Sequence, residues 1–65
     1  MIKVMRLDGK SLYVNPHQIE FIEENPDVSL IMLSGKKIIL RESIEEVLKK
    51  IIEYRKQIGV WNNEN

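Results

Sequence analysis

The sequence contains no cysteine and only one histidine, and these shortages exclude several kinds of site. Without cysteine, neither a disulfide framework nor a thiolate zinc site can form, and the composition is typical of a reducing compartment. His17 follows Pro16, so a metal site or a general base built on it would need carboxylates from distant positions. We therefore expect no metal site and no cofactor.

Long apolar runs and an excess of charge of one sign are also missing. The N-terminal segment is interrupted by Lys3 and Arg6, unlike a signal peptide, and no segment approaches the roughly 20 apolar residues of a membrane span. Ten basic residues balance ten acidic ones, whereas general nucleic-acid binders carry a strongly cationic surface. A soluble cytoplasmic protein is expected.

Motifs of catalysis are missing as well. The acidic residues between Glu20 and Asp27 lack the alternating oxygen ligands and the glycine of a calcium loop. Gly35-Lys36 has no glycine-rich phosphate loop around it and does not precede a helix. The serines have no neighbouring general base. The sequence therefore predicts a protein that is not an enzyme.

The length of 65 residues allows one domain. Chains of this size bury only about 60% of the surface that the unfolded chain exposes, so a single core is marginally stable. We assign residues 1–61 to one β-β-β-β-β-α domain and expect the polar residues 62–65 to form a frayed C-terminal tail.

Residues 28–41 form the most apolar stretch. Residues 28–33 are nearly all apolar, which is typical of a strand buried on both faces, and residues 38–40 repeat the pattern. Between them, Ser34-Gly35 offers the positive φ that a tight connection needs. The two runs are predicted to pair as a hairpin at the centre of the sheet.

Three further strands are predicted before this hairpin, at residues 2–7, 12–15 and 19–23. Asp8-Gly9 is typical of a two-residue type I′ turn, which needs positive φ at both positions. Asn15-Pro16 ends the second strand, since proline has no N–H to donate. In the third strand, Ile19 and Phe21 are predicted to face one side, with Glu20 and Ile22 on the other.

The apolar period changes to that of a helix from Ile44 onward, with apolar residues at steps of three and four. Ser43 and Glu46 match a capping box, and Glu46–Lys50 has the spacing of a favourable ion pair. Gly59 is predicted to end the helix, with Val60 folding back on the last turn. The stripe comprises Ile44, Val47, Leu48, Ile51, Ile52 and Ile58.

These elements predict an α+β fold: a small five-stranded, mainly antiparallel sheet, or a partly closed barrel, followed by one C-terminal amphipathic helix. One helix can cover only one face of a sheet that is apolar on both faces. The other face needs either barrel closure or a symmetric homo-oligomer, because large exposed apolar patches are uncommon on monomers.

Candidate binding residues lie in the turns and beyond the helix. Lys36, Lys37 and Arg41 make the central hairpin basic, opposite in charge to the segment from Glu20 to Asp27, and such patches either steer a partner or solubilise the domain. Trp61 either packs against the helix or anchors a partner, since tryptophan is frequent at binding hot spots.

Five segments between Met1 and about Ile58 occur in the order and spacing of a known family: IKVMRLDGK at the start, Asn15-Pro16, residues 19–24 leading into Pro26-Asp27, residues 33–37, and residues 41–47. In these the chain resembles the FlbD/SwrD family of small bacterial flagellar and swarming-motility proteins. Met5 and Asp8 stand where the family tends to have threonine and asparagine. Val28 stands where threonine is usual, and so lacks a hydroxyl there.

The resemblance implies a cytoplasmic, non-enzymatic accessory of flagellar motility, placed at the flagellar base and supporting motor power or swarming. It implies protein–protein contact with motor or stator components. The expected contact surface comprises the turn at Pro26-Asp27 and the hairpin tip at Gly35, Lys36 and Lys37.

A second resemblance gives an alternative function. Five strands followed by a helix, with Arg41 just before that helix, are similar to the carbon-storage-regulator family of dimeric RNA-binding proteins. The other strand motifs of that family are absent, and only Arg41 is suggestive of its basic cluster. The net charge of zero also favours the motility protein over an RNA-binding regulator.

Overall fold

The structure, a computed structural model, describes residues 1–58 and contains five strands and one α-helix in this range. The predicted α+β class is confirmed. However, the strands form two small antiparallel sheets, β1-β2 and β3-β4-β5, and within residues 1–58 they do not close into a barrel. The strands are β1 (Ile2–Met5), β2 (Ser11–Val14), β3 (Ile19–Glu23), β4 (Ser29–Met32) and β5 (Lys37–Ile39); a 3-10 helix spans Pro16–Gln18, and α1 spans Ile44–Gln57.

The two sheets are joined at one antiparallel bridge, between Arg6 and Leu40. The backbone N–H of Leu7 donates to the carbonyl of Ile39, and that of Arg41 donates to the carbonyl of Met5, each at 3.0 Å. The ladder stops there because β5 is only three residues long and the chain then turns toward α1. The prediction of one five-stranded sheet is wrong for this reason.

The loop between β1 and β2 has three residues instead of the predicted two. The N–H of Arg6 donates to the carbonyl of Lys10 at 2.8 Å, and the N–H of Gly9 donates to the carbonyl of Arg6 at 2.9 Å. Only Gly9 has a positive φ, at +89°, so the predicted type I′ turn is wrong. Asp8 instead accepts the N–H of Lys10 at 2.9 Å, which stabilises a type I turn followed by a left-handed glycine.

The loop between β4 and β5 has the same construction. The N–H of Met32 donates to the carbonyl of Lys36, and the N–H of Gly35 donates to the carbonyl of Met32, both at 2.8 Å. Ser34 takes the position that Asp8 has in the first loop. The predicted positive φ at Gly35 is confirmed, at +91°.

Gly35→Ala is expected to lower the free energy of unfolding by about 1 kcal/mol, because an L-residue in the left-handed region costs roughly 1–2 kcal/mol. Nothing lies within 4 Å of a Cβ added there, so the backbone alone supplies the effect. Urea denaturation monitored by circular dichroism measures it. Gly35→Asn is the control, since asparagine tolerates this region and should lose less. Equal stability of the alanine variant and the parent would contradict the assignment.

A bulge in β3 changes which of its side chains face the core. The register between β3 and β4 shifts between Ile19 and Phe21. Ile19 and Ile22 therefore both pack against the core, while Phe21 is 47% exposed. The prediction that Ile19 and Phe21 share a face is wrong because the inserted residue interrupts the alternation.

The core lies between the inner faces of the two sheets and α1. Val47 is the buried residue of α1, and Ile44, Ile51 and Tyr54 pack around it. In the central strand, Leu30 is fully buried on the inner face. On the opposite face Ser29 is 3% exposed, but Ile31 is only half-buried and Phe21, opposite it in the ladder, is exposed, so the predicted burial on both faces is confirmed only in part. The burial ends before Leu33. The buried apolar residues are Ile2, Val4, Val14, Val28, Leu30, Ile38, Leu40 and Val47.

The start of α1 confirms the predicted cap. Ser43 is the N-cap residue, and its hydroxyl oxygen accepts the N–H of Glu46 at 3.2 Å. The reciprocal bond differs from a full capping box, since the Glu46 carboxylate accepts the Ser43 hydroxyl. The predicted end at Gly59 and the contact of Val60 lie outside the described residues, as do the domain boundary at 61 and the tail. Within residues 1–58, no helix is long and apolar enough to cross a membrane.

Candidate functional site

The two hairpin loops lie side by side at one end of the molecule. Because Arg6 and Leu40 form an antiparallel bridge, the chain beyond Arg6 runs back along β5 toward Lys37. This arrangement encloses a groove of about 550 Å³, which we call the loop-end groove. It is lined by Arg6, Leu7, Asp8, Leu12, Lys36, Lys37, Ile38 and Ile39.

The walls of the loop-end groove are apolar and partly open to solvent. Leu7 is 47% exposed and Ile39 is 40% exposed, and they are neighbours across the bridge between the sheets. Phe21 and Ile31 extend the apolar surface across the outer face of the three-stranded sheet, since they are opposite one another in the ladder. The surface could bury apolar side chains of another molecule.

Positive charges surround the apolar strip that Leu7, Ile39, Phe21 and Ile31 form. Arg6 pairs with Asp8 at 3.2 Å and Lys37 pairs with Glu23 at 3.5 Å. These are exposed pairs, which are typically worth about 1 kcal/mol or less. Among residues 1–58, the charged side-chain groups of Lys10, Lys36 and Arg41 have no carboxylate oxygen within 4 Å, so the end of the molecule is net cationic.

Arg41 holds the first hairpin loop in place. Its guanidinium Nη2 donates to the carbonyl of Leu7 at 3.0 Å, and its backbone N–H donates to the carbonyl of Met5. A Cβ added to Gly9 would lie 3.7 Å from Nη2, so the guanidinium lies directly against the glycine. Arg41 is exposed, and its other N–H groups are available to an anionic partner.

Glu42 and Lys50 complete the edge of β1, a role that local sequence spacing does not predict. The N–H of Met5 donates to Glu42 Oε1 at 2.8 Å, and Lys50 Nζ donates to the carbonyl of Lys3 at 2.8 Å. Lys50 also pairs with the second oxygen of Glu42, and not with Glu46 as predicted. Glu42 and Lys50 thus supply hydrogen bonds that a neighbouring strand would otherwise supply.

A second groove, of about 650 Å³, lies between β1 and α1. Its lining includes three lysines and three glutamates: Lys3, Lys49, Lys50, Glu42, Glu46 and Glu53. Two of these residues, Glu42 and Lys50, already form hydrogen bonds to the edge of β1. The balance of charge gives this groove no preference for an anionic or a cationic partner, unlike the loop-end groove.

The predicted site residues fall into two regions. Gly35, Lys36, Lys37 and Arg41 lie in or beside the loop-end groove. Pro26 and Asp27, which follow a cis peptide bond after Asn25, lie at the opposite end of β4, because the two turns precede and follow the same strand. Trp61 lies outside the described residues. The structure therefore does not bring the Pro26-Asp27 turn and the hairpin tip into one surface.

His17 and the acidic segment have local contacts within the fold. The ring of His17 packs edge-on against Tyr54, with centroids 5.6 Å apart. Glu23 pairs with Lys37, and the carbonyl of Asp27 accepts the hydroxyl of Ser29 at 3.2 Å. Among residues 1–58, no three histidine or carboxylate side chains are close enough to hold a metal ion.

Comparison with known families matches residues 1–59 to FlbD, described as flagellar and swarming motility proteins. The match contains both hairpin loops, the residues of the loop-end groove, and the Arg41-Glu42 segment. No curated protein and no solved structure gives a match. The match covers nearly the whole 65-residue chain and confirms the resemblance in the sequence. The chain therefore belongs to the FlbD family of flagellar and swarming motility proteins.

Proposed function

We propose that this protein is a non-enzymatic, cytoplasmic accessory of flagellar motility that supports motor power or swarming by binding another protein. Family membership supports the motility role. The observation that supports binding is the loop-end groove, in which an apolar strip is bordered by uncompensated cations. Its lining contains no histidine, serine or cysteine, which favours binding over catalysis.

The chemistry of the groove indicates what kind of partner segment it fits. Leu7 and Ile39 are available to apolar side chains, while Lys36 and Arg41 are available to carboxylates. A groove of about 550 Å³ accommodates a short segment and not a large globular face. We propose an acidic segment with one or two large apolar residues, in a component of the flagellar motor or stator.

The hydrogen bonds of the two loops support this choice of surface. Each loop is closed by two backbone hydrogen bonds and a glycine of positive φ. Arg41 further ties the first loop to the start of the helix segment. A surface that is ordered before binding loses less conformational entropy when the partner binds.

The double variant Lys36→Glu/Lys37→Glu is expected to abolish the swarming that the parent gene restores to a deletion strain. Two charge reversals oppose an acidic segment, and each 1.4 kcal/mol of lost binding weakens affinity about tenfold. Swarm expansion and swimming speed are the measurements, with circular dichroism of the purified variant as the test of folding. Lys36→Glu alone is the second variant, because it leaves the Lys37–Glu23 pair intact.

Lys3→Glu is the matched control for Lys36→Glu, since it makes the same change of charge in the other groove. It should leave swarming unchanged. Normal swarming with a folded Lys36→Glu/Lys37→Glu protein would exclude the loop-end groove as the binding surface.

The RNA-binding alternative is tested on the same proteins by gel shift. Binding to structured RNA that weakens steeply with salt would support it.

A further inference from the structure

The helix α1 carries an apolar ridge on a side that the core does not cover. Leu48 is 45% exposed and Ile52 is 44% exposed. They are four residues apart, so their side chains are neighbours on one face of the helix. A different side of α1 faces the core, and on that side Val47 is fully buried.

Opposite charges stand at the two ends of this ridge. Glu45 lies in the first turn and Lys56 in the last turn of α1, and both are exposed. They are eleven residues apart, which is about three helical turns, so they lie on the same side of the helix. Within residues 1–58, neither forms an ion pair.

The midpoints of the two pairs lie within half a residue of each other. The midpoint of Leu48 and Ile52 is at residue 50, and the midpoint of Glu45 and Lys56 falls between residues 50 and 51. A twofold contact requires that residue i meet residue j of the second copy and that j meet i. A pattern that is apolar in the middle and of opposite charge at equal distances on either side meets this condition.

We propose that this face of α1 binds the same face of a second copy of the chain, with the two helices antiparallel about a twofold axis that passes the ridge at the level of residues 50 and 51. Leu48 then packs on Ile52 of the second copy, and Glu45 pairs with Lys56. The antiparallel arrangement also places the positive end of each helix dipole beside the negative end of the other.

The contact is small. A helix of 14 residues is about 21 Å long. One such helix against its copy buries less than the roughly 800 Å² per partner of a stable interface. The dimer is therefore weak and forms as concentration rises. None of its residues lines the loop-end groove, so one dimer presents two grooves and gains avidity for a partner present in several copies.

The first test is the mass of the full chain by sedimentation equilibrium, from about 10 μM to about 1 mM, a range suited to weak association. The weight-average mass should rise from 7.7 kDa toward twice that value. Leu48→Gln/Ile52→Gln should weaken association at least tenfold while the circular dichroism spectrum is retained. A chain that stays monomeric throughout would overturn the proposal, including the case in which residues 59–65 cover the ridge.

The second test uses the charges. Glu45→Lys and Lys56→Glu should each weaken self-association, because like charges then face one another. An equimolar mixture of the two variants should restore it, since every facing pair is again of opposite charge. Glu53→Lys, away from the ridge, is the control and should associate as the parent does.

Failure of the mixture to restore association would overturn the twofold arrangement. If the Lys36→Glu/Lys37→Glu variant swarms normally while the chain still dimerises, only the proposal for the loop-end groove is contradicted. The two proposals are therefore distinguishable.

Discussion

Leu30→Ala is expected to leave the chain largely unfolded at 25 °C. Leu30 has no exposed surface, and in the central strand it lies between Ile22 of β3 and Ile38 of β5. Replacing a buried leucine by alanine costs about 2–5 kcal/mol, because the removed methyl groups leave a cavity. A single core in a domain of this size supplies only about 3–5 kcal/mol of stability, so the loss is comparable to the whole.

Leu33→Ala is the matched control, since it makes the same chemical change just beyond the end of the same strand. Leu33 is 58% exposed at the loop, so its loss should change the free energy of unfolding by about 0.5 kcal/mol. Urea denaturation followed by circular dichroism gives both values. Similar stability of the two variants would show that β4 is not the centre of the core.

Glu42→Ala is expected to lower the free energy of unfolding by about 2–3 kcal/mol, because it leaves a backbone N–H and an ammonium without their shared acceptor. The Glu42 side chain is 12% exposed, accepts the N–H of Met5 at 2.8 Å, and pairs with Lys50. The contact joins residues 37 positions apart, so its loss also frees the edge of β1.

Glu53→Ala is the control on the same helix, at an exposed position, and should cost little. Hydrogen exchange at the Met5 amide tests whether Glu42 protects this N–H. The exchange rate should be faster in Glu42→Ala and unchanged in Glu53→Ala. A double-mutant cycle with Lys50→Ala then measures the coupling between the carboxylate and the ammonium. An unchanged exchange rate at Met5 would contradict the role assigned to Glu42.

Arg41 and Glu42 illustrate how a family motif acquires a structural explanation. The segment of residues 41–47 carries part of the resemblance, and Arg41 is a predicted binding residue. In the structure, the Arg41 guanidinium donates a hydrogen bond to the Leu7 carbonyl, and the Glu42 carboxylate accepts one from the Met5 N–H. The motif thus attaches the start of α1 to β1, and it keeps the wall of the loop-end groove in place. A binding role for Arg41 stays a prediction.

Features that depend on neighbouring residues could be predicted from the sequence. The helix after Ser43 follows from its period and cap, and the turn at Gly35 follows from the need for positive φ. The burial of Leu30 follows from the apolar run around it. In each case the interaction lies within a few residues along the chain, so the residue types alone favour one local geometry.

Other features depended on contacts between distant parts of the chain. The bulge that turns Phe21 outward, the division into two sheets, and the bond between Lys50 and the carbonyl of Lys3 are not encoded by local spacing. The same holds for the loop-end groove, which exists because Arg6 meets Leu40. The sequence by itself determined the helix, the hairpins and the family, whereas tertiary packing decided which surfaces meet, because long-range pairing depends on the free energy of the whole fold.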